Sequence, residues 1–282
     1  MVVSFEQREQ FQEQGYCIVP DMFSAREVAA MCAELDRFKR EGLLRNVTTE
    51  GDGKTHSSDK INLQICPITP KSTFYRALPF HPKVIVTVAS LIGNPFVFYL
   101  DQIFLKPPKQ GQGTSWHQDS AYFKVSDPSK GVGMWVALHD ATVANGTLHI
   151  VPGSHTESIP HERDPNSDHH ICCSVEESRA IPIELKAGGA VFFNFGIAHS
   201  TKANQTDKER AGLALHFLNT DYIPSEAKEK KNYAHLTGYR GTGGKSEYGT
   251  RIADTWLNEV DRVLGERTNV SRNKVDDNTT EP

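Results

Sequence analysis

The sequence predicts a mainly β domain, a sandwich or jelly roll with its early helices packed outside. Two observations carry this. From Phe96 onward, six runs rich in β-branched and aromatic residues recur between turn-forming stretches. Apolar residues at helical spacing lie mostly before Gly93, and such a division suits sheets that bury one face against helices. At 282 residues the chain can bury one good core. Residues 1–267 are therefore expected to form a single domain, and the polar stretch 268–282 a disordered tail.

In chain order, Ser4-Phe5-Glu6-Gln7 and Ser24-Ala25-Arg26-Glu27 each read as a capping box that opens a helix. The first helix should stop at Gly15, and Tyr16–Val19 should follow as a short buried strand. In the second, Val28, Met31, Leu35 and Phe38 form one stripe. A third helix is expected after Pro82, with Val84, Ile85, Val88 and Leu91 inward and Gly93 ending it. The strands expected next are Phe96–Lys106, Val132–Leu138, Thr147–Val151, Ile181–Leu185, Ala190–Phe195 and Gly212–Leu218. Asn145-Gly146 signals a tight turn, since both residues accept positive φ. Stretches 41–59 and 157–178 read as long polar loops, a frequent form for lids and binding loops.

Composition excludes more than it proposes. A net charge of -4 gives no electrostatic reason to expect nucleic acid or an anionic membrane as partner. No run approaches the ~18 apolar residues of a spanning helix, and the polar opening with Glu6, Arg8, Glu9 and Glu13 is no signal peptide. Five unpatterned cysteines fit a reducing cytoplasm better than a disulfide framework. The partner this leaves is a small molecule; oligomeric state is not legible.

His117-Gln118-Asp119 is the first feature with chemistry in it. On extended backbone, residues two apart point to one side, so an imidazole and a carboxylate can meet the same cation. A second histidine from a distant strand would complete a facial triad with open positions for substrate and dioxygen. Chance alone places about one or two His-x-Asp/Glu triplets in such a chain, and a second exists, His155-Thr156-Glu157. His155 follows the turn-like Pro152-Gly153-Ser154, where a structural hydrogen-bonding role is the better reading. Strand-like Ala190–Gly196 delivers His199, and eleven residues later Arg210 opens the next strand. A guanidinium there could hold a carboxylate with two parallel hydrogen bonds.

Taken in order, these residues resemble the phytanoyl-CoA dioxygenase family of iron(II)/2-oxoglutarate oxygenases. The resemblance runs from about Phe11 to Leu218. It includes Gly15–Pro20, Phe104–Pro108, Trp116–Asp119, Trp135–Leu138, Asn145–Leu148, Val151–His155, His199–Asn204 and Arg210. It implies a double-stranded β-helix, a metal triad of His117, Asp119 and His199, and Arg210 as partner of the distal (C5) carboxylate of 2-oxoglutarate. It also implies Lys60, Gln102 and Trp135 as further co-substrate contacts. The implied cofactor is iron(II), with 2-oxoglutarate and dioxygen as co-substrates and ascorbate as the reductant in vitro. The implied reaction couples decarboxylation of 2-oxoglutarate to succinate and carbon dioxide with hydroxylation of a small organic substrate. Related halogenases lack the carboxylate, so Asp119 favours hydroxylation.

Two rival readings follow from the residues. Two histidines and a carboxylate also suit a zinc-dependent, cupin-like hydrolase, but no general base stands out and Arg210 would have no task. A non-catalytic binding module on the same fold would not need the triad. Gly238–Ser246 imitates a phosphate loop with the wrong spacing and reads as a surface loop. Pocket walls are expected at Tyr122, Phe123 and Lys124, with the loop from Arg163 to Arg179 nearby; Lys124 and Arg163 would meet an anionic substrate or simply be solvated.

Overall fold

Both capping boxes form. Ser4 and Gln7 close reciprocal hydrogen bonds at the start of the Phe5–Gln14 helix. Ser24 and Glu27 do the same for Ala25–Arg40. Gly15 ends the first helix in the left-handed region, at φ 81°. The third predicted helix spans Pro82–Ile92, and Gly93 terminates it. Its buried stripe is Val84, Thr87, Val88 and Ile92, with Ile85 and Leu91 at the margin. The computed structural model describes residues 2–230 and 232–265, so the expected tail at 268–282 lies outside the described residues.

The strands in chain order are β1 (Tyr16–Val19), β2 (Arg45–Asn46), β3 (Leu63–Ile65), β4 (Phe96–Lys106), β5 (Thr114–His117), β6 (Gly131–Ala137) and β7 (Leu148–Ile150). They continue as β8 (His161–Arg163), β9 (Ile171–Cys173), β10 (Ile181–Ile183), β11 (Ala190–Asn194), β12 (His199–Thr201), β13 (Arg210–Asn219) and β14 (Ala234–His235). A major antiparallel sheet runs β1-β11-β6-β13-β4-β3-β2, with β14 also on β4. A minor sheet runs β10-β7-β12-β5, and β8 pairs with β9 alone. The two larger sheets face each other across Trp135, Val191, Phe193 and Ala214 from the major sheet and Leu148, Ile150 and Ile183 from the minor. This is the expected jelly roll.

β13 shows how one strand serves two layers. Ala211, Leu213, Leu215 and Phe217 pack outward with the helical residues Met31, Leu35, Phe38, Val84 and Val88. Each fully buried Leu or Phe is worth about 2 kcal/mol, more than the ~1 kcal/mol of a helix cap; packing on the sheet therefore holds the helices more firmly than their ends do. Arg210, Gly212, Ala214 and His216 alternate with these and face the interior. All ten residues of the strand are buried.

Several expectations need correction. Asn145-Gly146 lies in a turn, but only Gly146 has positive φ, and β6 and β7 on either side of it belong to different sheets. Helices are not confined to the start, since Trp256–Val263 packs its buried Trp256 and Val260 into the same outer core. Gly238–Ser246 is not loop throughout, since one helical turn begins at Lys245 and ends at Tyr248. The two polar loops hold β2 and the β8–β9 hairpin, and they meet through a Thr48–Ser167 bridge and an Arg45–Asp168 ion pair.

Candidate active site

The site forms where β5 and β12 run side by side. His117 ends β5, His199 begins β12, and the two are register partners. Gln118 is extended and Asp119 starts a one-turn helix, Asp119–Phe123, so His117 and Asp119 share a side. Asp119 Oδ1 lies 3.9 Å from His117 Nε2 and 3.8 Å from His199 Nε2. The imidazole centroids are 4.1 Å apart. Among the described residues, His117, Asp119 and His199 are the one His/Cys/Asp/Glu group whose ligand atoms all fall within 4.8 Å of one another.

The electrostatics suit a cation. His117 Nδ1 donates to Ser115 O at 2.8 Å, and His199 Nδ1 to Ile197 O at 3.0 Å, which leaves both Nε2 lone pairs toward Asp119. Burial, helped by His199, brings His117 down to about 3; burial also lowers His199. Both rings are thus neutral near pH 7, the form that binds metal. Burial opposes ionisation of Asp119, but His216 and His199 outweigh it and hold the carboxylate well below the usual range. Two imidazole nitrogens and one carboxylate oxygen are the donor set of non-haem iron(II) sites.

His216, on the interior face of β13, was not singled out from sequence. Its Nε2 lies 3.1 Å from Asp119 Oδ2, and its ring packs against Phe123 and Phe195. Oδ1 therefore faces the two imidazoles while Oδ2 faces His216. The signal was parity: His216 is six residues beyond Arg210 and shares its face of the strand. Gln118 points elsewhere, and its side-chain amide donates to the carbonyls of Glu157 and Gly196.

Arg210 is 1% exposed. It donates to the carbonyls of Gly146 and Asn145 and lies 5.7 Å from the centroid of Trp135. Trp135 fits because residue 212 is glycine, where a Cβ would come within 2.5 Å of the indole nitrogen. Burial pushes the guanidinium down to about 9. Gln102 is half-buried opposite Ala214 and accepts from Gln64 Nε2 at 2.9 Å. Lys60 is exposed on the rim of a cavity of about 570 Å³. Ser115, Trp116, Ser200 and Thr201, the neighbours of the two histidines, also line this cavity, as does His170, whose ring is 6.4 Å from His117.

Tyr122, Phe123 and Lys124 line a second cavity of about 490 Å³. Tyr122 meets His117 edge-on at 5.5 Å, and its hydroxyl accepts from Ile171 N at 3.0 Å. Phe123 packs on Tyr99 and Phe195, and Lys124 is exposed. Arg163 donates to the carbonyls of His170 and Gly53, which ties the two polar loops together. His155 faces the first helix, with Nε2 3.2 Å from Gln12 O.

Known proteins share this frame. The solved structure of SnoK, a non-heme alpha-ketoglutarate-dependent carbocyclase from nogalamycin biosynthesis, superposes with a TM-score of 0.67 at 22% identity, covering 84% of this chain and 95% of that one. EvdO2 from Micromonospora carbonacea, solved with 2-oxoglutarate, gives 0.60 at 26% identity over 77% and 91%. In sequence, peroxisomal phytanoyl-CoA dioxygenase of Homo sapiens is 25% identical across 95% of this chain and 85% of its own length. The family profile for phytanoyl-CoA dioxygenase (PhyH) matches residues 11–212. That span takes in the triad and Arg210 and is well over half of the chain, so the protein belongs to the phytanoyl-CoA dioxygenase family.

Proposed function

We propose that this protein hydroxylates a small organic substrate, using iron(II), dioxygen and 2-oxoglutarate, which it converts to succinate and carbon dioxide. The observation that carries the reading is the buried convergence of His117, Asp119 and His199 with both Nε2 lone pairs turned inward. These three residues would hold the iron. Bound there, iron supplies the oxygen activation that side chains cannot.

The chain's own part is binding, orientation and exclusion. Ser115 and Ile197 carbonyls fix the imidazole tautomers, and His216 occupies the free side of the Asp119 carboxylate. Arg210 would anchor the distal carboxylate of 2-oxoglutarate, with Trp135 walling the subsite and Gln102 bordering it. Lys60 would serve at the rim, where it can reach a carboxylate that enters through the larger cavity. Tyr122 and Phe123 would limit the substrate's approach beside His117, with Lys124 at the mouth.

Residues 1–267 would act as one catalytic unit. The five free thiols suit a reducing compartment such as the cytoplasm, and no helix among the described residues is long and apolar enough to cross a membrane. Relatives named for phytanoyl-CoA and for ectoine set the first substrate panel: acyl-CoA thioesters and cyclic amino-acid derivatives.

The test is direct. Purified protein with iron(II) and ascorbate should release succinate from 2-oxoglutarate slowly alone and faster with a true substrate. Calorimetry showing binding of neither the metal nor 2-oxoglutarate would refute the reading.

A further inference from the structure

Arg210 does not stand alone. Its register partner across the β13–β4 pair is Lys106, which is also 1% exposed. Lys106 Nζ donates to Gly146 O at 3.2 Å and to Lys202 O. The same Gly146 oxygen accepts from Arg210 Nη2. One carbonyl thus brings an ammonium and a guanidinium together in the interior. Among the described residues, no carboxylate lies within ion-pair distance of either cation. Backbone carbonyls satisfy donors but carry no net charge, so the two positive groups are solvated by dipoles and repel each other. A buried pair of like charges is costly unless an anion joins it. Burial and the adjoining guanidinium both press the Lys106 ammonium well below its usual pKa, in keeping with that cost.

We propose that Lys106 is a second cation for the distal carboxylate of 2-oxoglutarate, binding it together with Arg210. The inference rests on the reading of Arg210 given above. An ammonium has three donors, and the carbonyls of Gly146 and Lys202 take two. The third is left for a carboxylate oxygen, while the guanidinium can offer its planar edge to the same group. The two cations then act as a length gauge. A 2-oxo acid that ends in a carboxylate at the far side is recognised, and one that ends in a methyl group leaves both charges uncompensated.

The test compares 2-oxoglutarate with 2-oxobutyrate, which keeps the 2-oxo acid end and lacks the distal carboxylate. Binding is measured by calorimetry on protein loaded with manganese(II), so that no turnover intervenes. Lys106→Gln keeps donors for the two carbonyls and removes the charge. It should weaken 2-oxoglutarate about tenfold or more and leave 2-oxobutyrate within about twofold. Equal weakening of both ligands, or of neither, overturns the inference. Wild-type protein that binds the two acids alike would instead overturn the reading of Arg210. Selective loss in Arg210→Gln but not in Lys106→Gln sinks only the role of Lys106. Should Lys106→Gln fail to fold, the unaltered protein crystallised with manganese(II) and 2-oxoglutarate decides. Lys106 Nζ should lie within about 4 Å of a distal carboxylate oxygen, and a longer separation overturns the proposal.

Discussion

At Asp119, one carboxylate does two jobs with two oxygens. Oδ1 faces His117 and His199, and Oδ2 faces His216. Replacing His216 by leucine keeps an apolar filler against Phe123 and Phe195 but frees the carboxylate to rotate. Metal affinity, read by cobalt(II) titration, should fall about 10- to 100-fold; unchanged affinity would leave His216 a packing residue only. Arg210→Ala should cost about 2 kcal/mol or more of 2-oxoglutarate binding, because a carboxylate is left buried without its fork. Calorimetry with manganese(II) in place of iron checks this, and an unaltered affinity would move the anchor elsewhere. His117, Asp119, His199 and Arg210 could be picked out as candidates because their residue types and order carry chemical meaning. Lys106 and His216 were not, because a lone lysine or histidine in an apolar run gains meaning only once the face it occupies is known.

Strand β13 has two working faces. Its outward residues fasten the helices and its inward residues furnish the site, so a change on one face is felt on the other. Gly212 is the clearest case, where a Cβ would press into Trp135. Gly212→Ala should destabilise the protein by about 1–3 kcal/mol and weaken 2-oxoglutarate binding as the indole shifts against Arg210. A denaturant melt checks the first effect and calorimetry the second; normal values in both would mean that Trp135 yields freely. Long elements such as β4, β13 and the two capped helices were readable, since periodicity needs several residues to show itself. Strands β5 and β12 were not, because their Thr, Ser and His residues imitate loop, whereas the equally short β1 stood out as an apolar run. These short strands position the candidate site, so the triad was picked out by its residue types and not through its scaffold.

Across the whole molecule, the chain's beginning and the C-terminal end of its described part are tied by one buried carboxylate. Glu27 accepts hydrogen bonds from Ser24, from Trp256 Nε1 at 2.6 Å and from His81 Nε2 at 3.0 Å. His81 Nδ1 accepts from the Lys83 amide, which leaves Nε2 as the donor. Burial raises the pKa of Glu27, but these bonds outweigh it and bring the group down to about 2 from an ordinary 4.5. A carboxylate whose folded pKa is depressed stabilises above its unfolded value and loses that contribution as pH falls from about 4.5 toward about 2. Glu27→Gln should therefore cost about 1–3 kcal/mol at pH 7, and its melting temperature should converge on the wild-type value in acid. Parallel curves across that range would assign the link to packing. The jelly roll as a class was visible in the run of strands, whereas this tie was hidden, because it joins positions more than two hundred residues apart. The Ser115 and Ile197 carbonyls lead to a last consequence. Each imidazole is aimed by a carbonyl two residues earlier in the chain, Ser115 within β5 and Ile197 just before β12. The two rings are thus oriented by the protein's own backbone, and two imidazole nitrogens with one carboxylate oxygen suit several divalent ions. On such a donor set manganese should bind more weakly than iron, and cobalt and zinc more tightly, following the general affinity order of these ions. Added zinc should therefore compete with iron for these three side chains, measured as a loss of succinate release that excess iron(II) restores while the melting temperature stays unchanged.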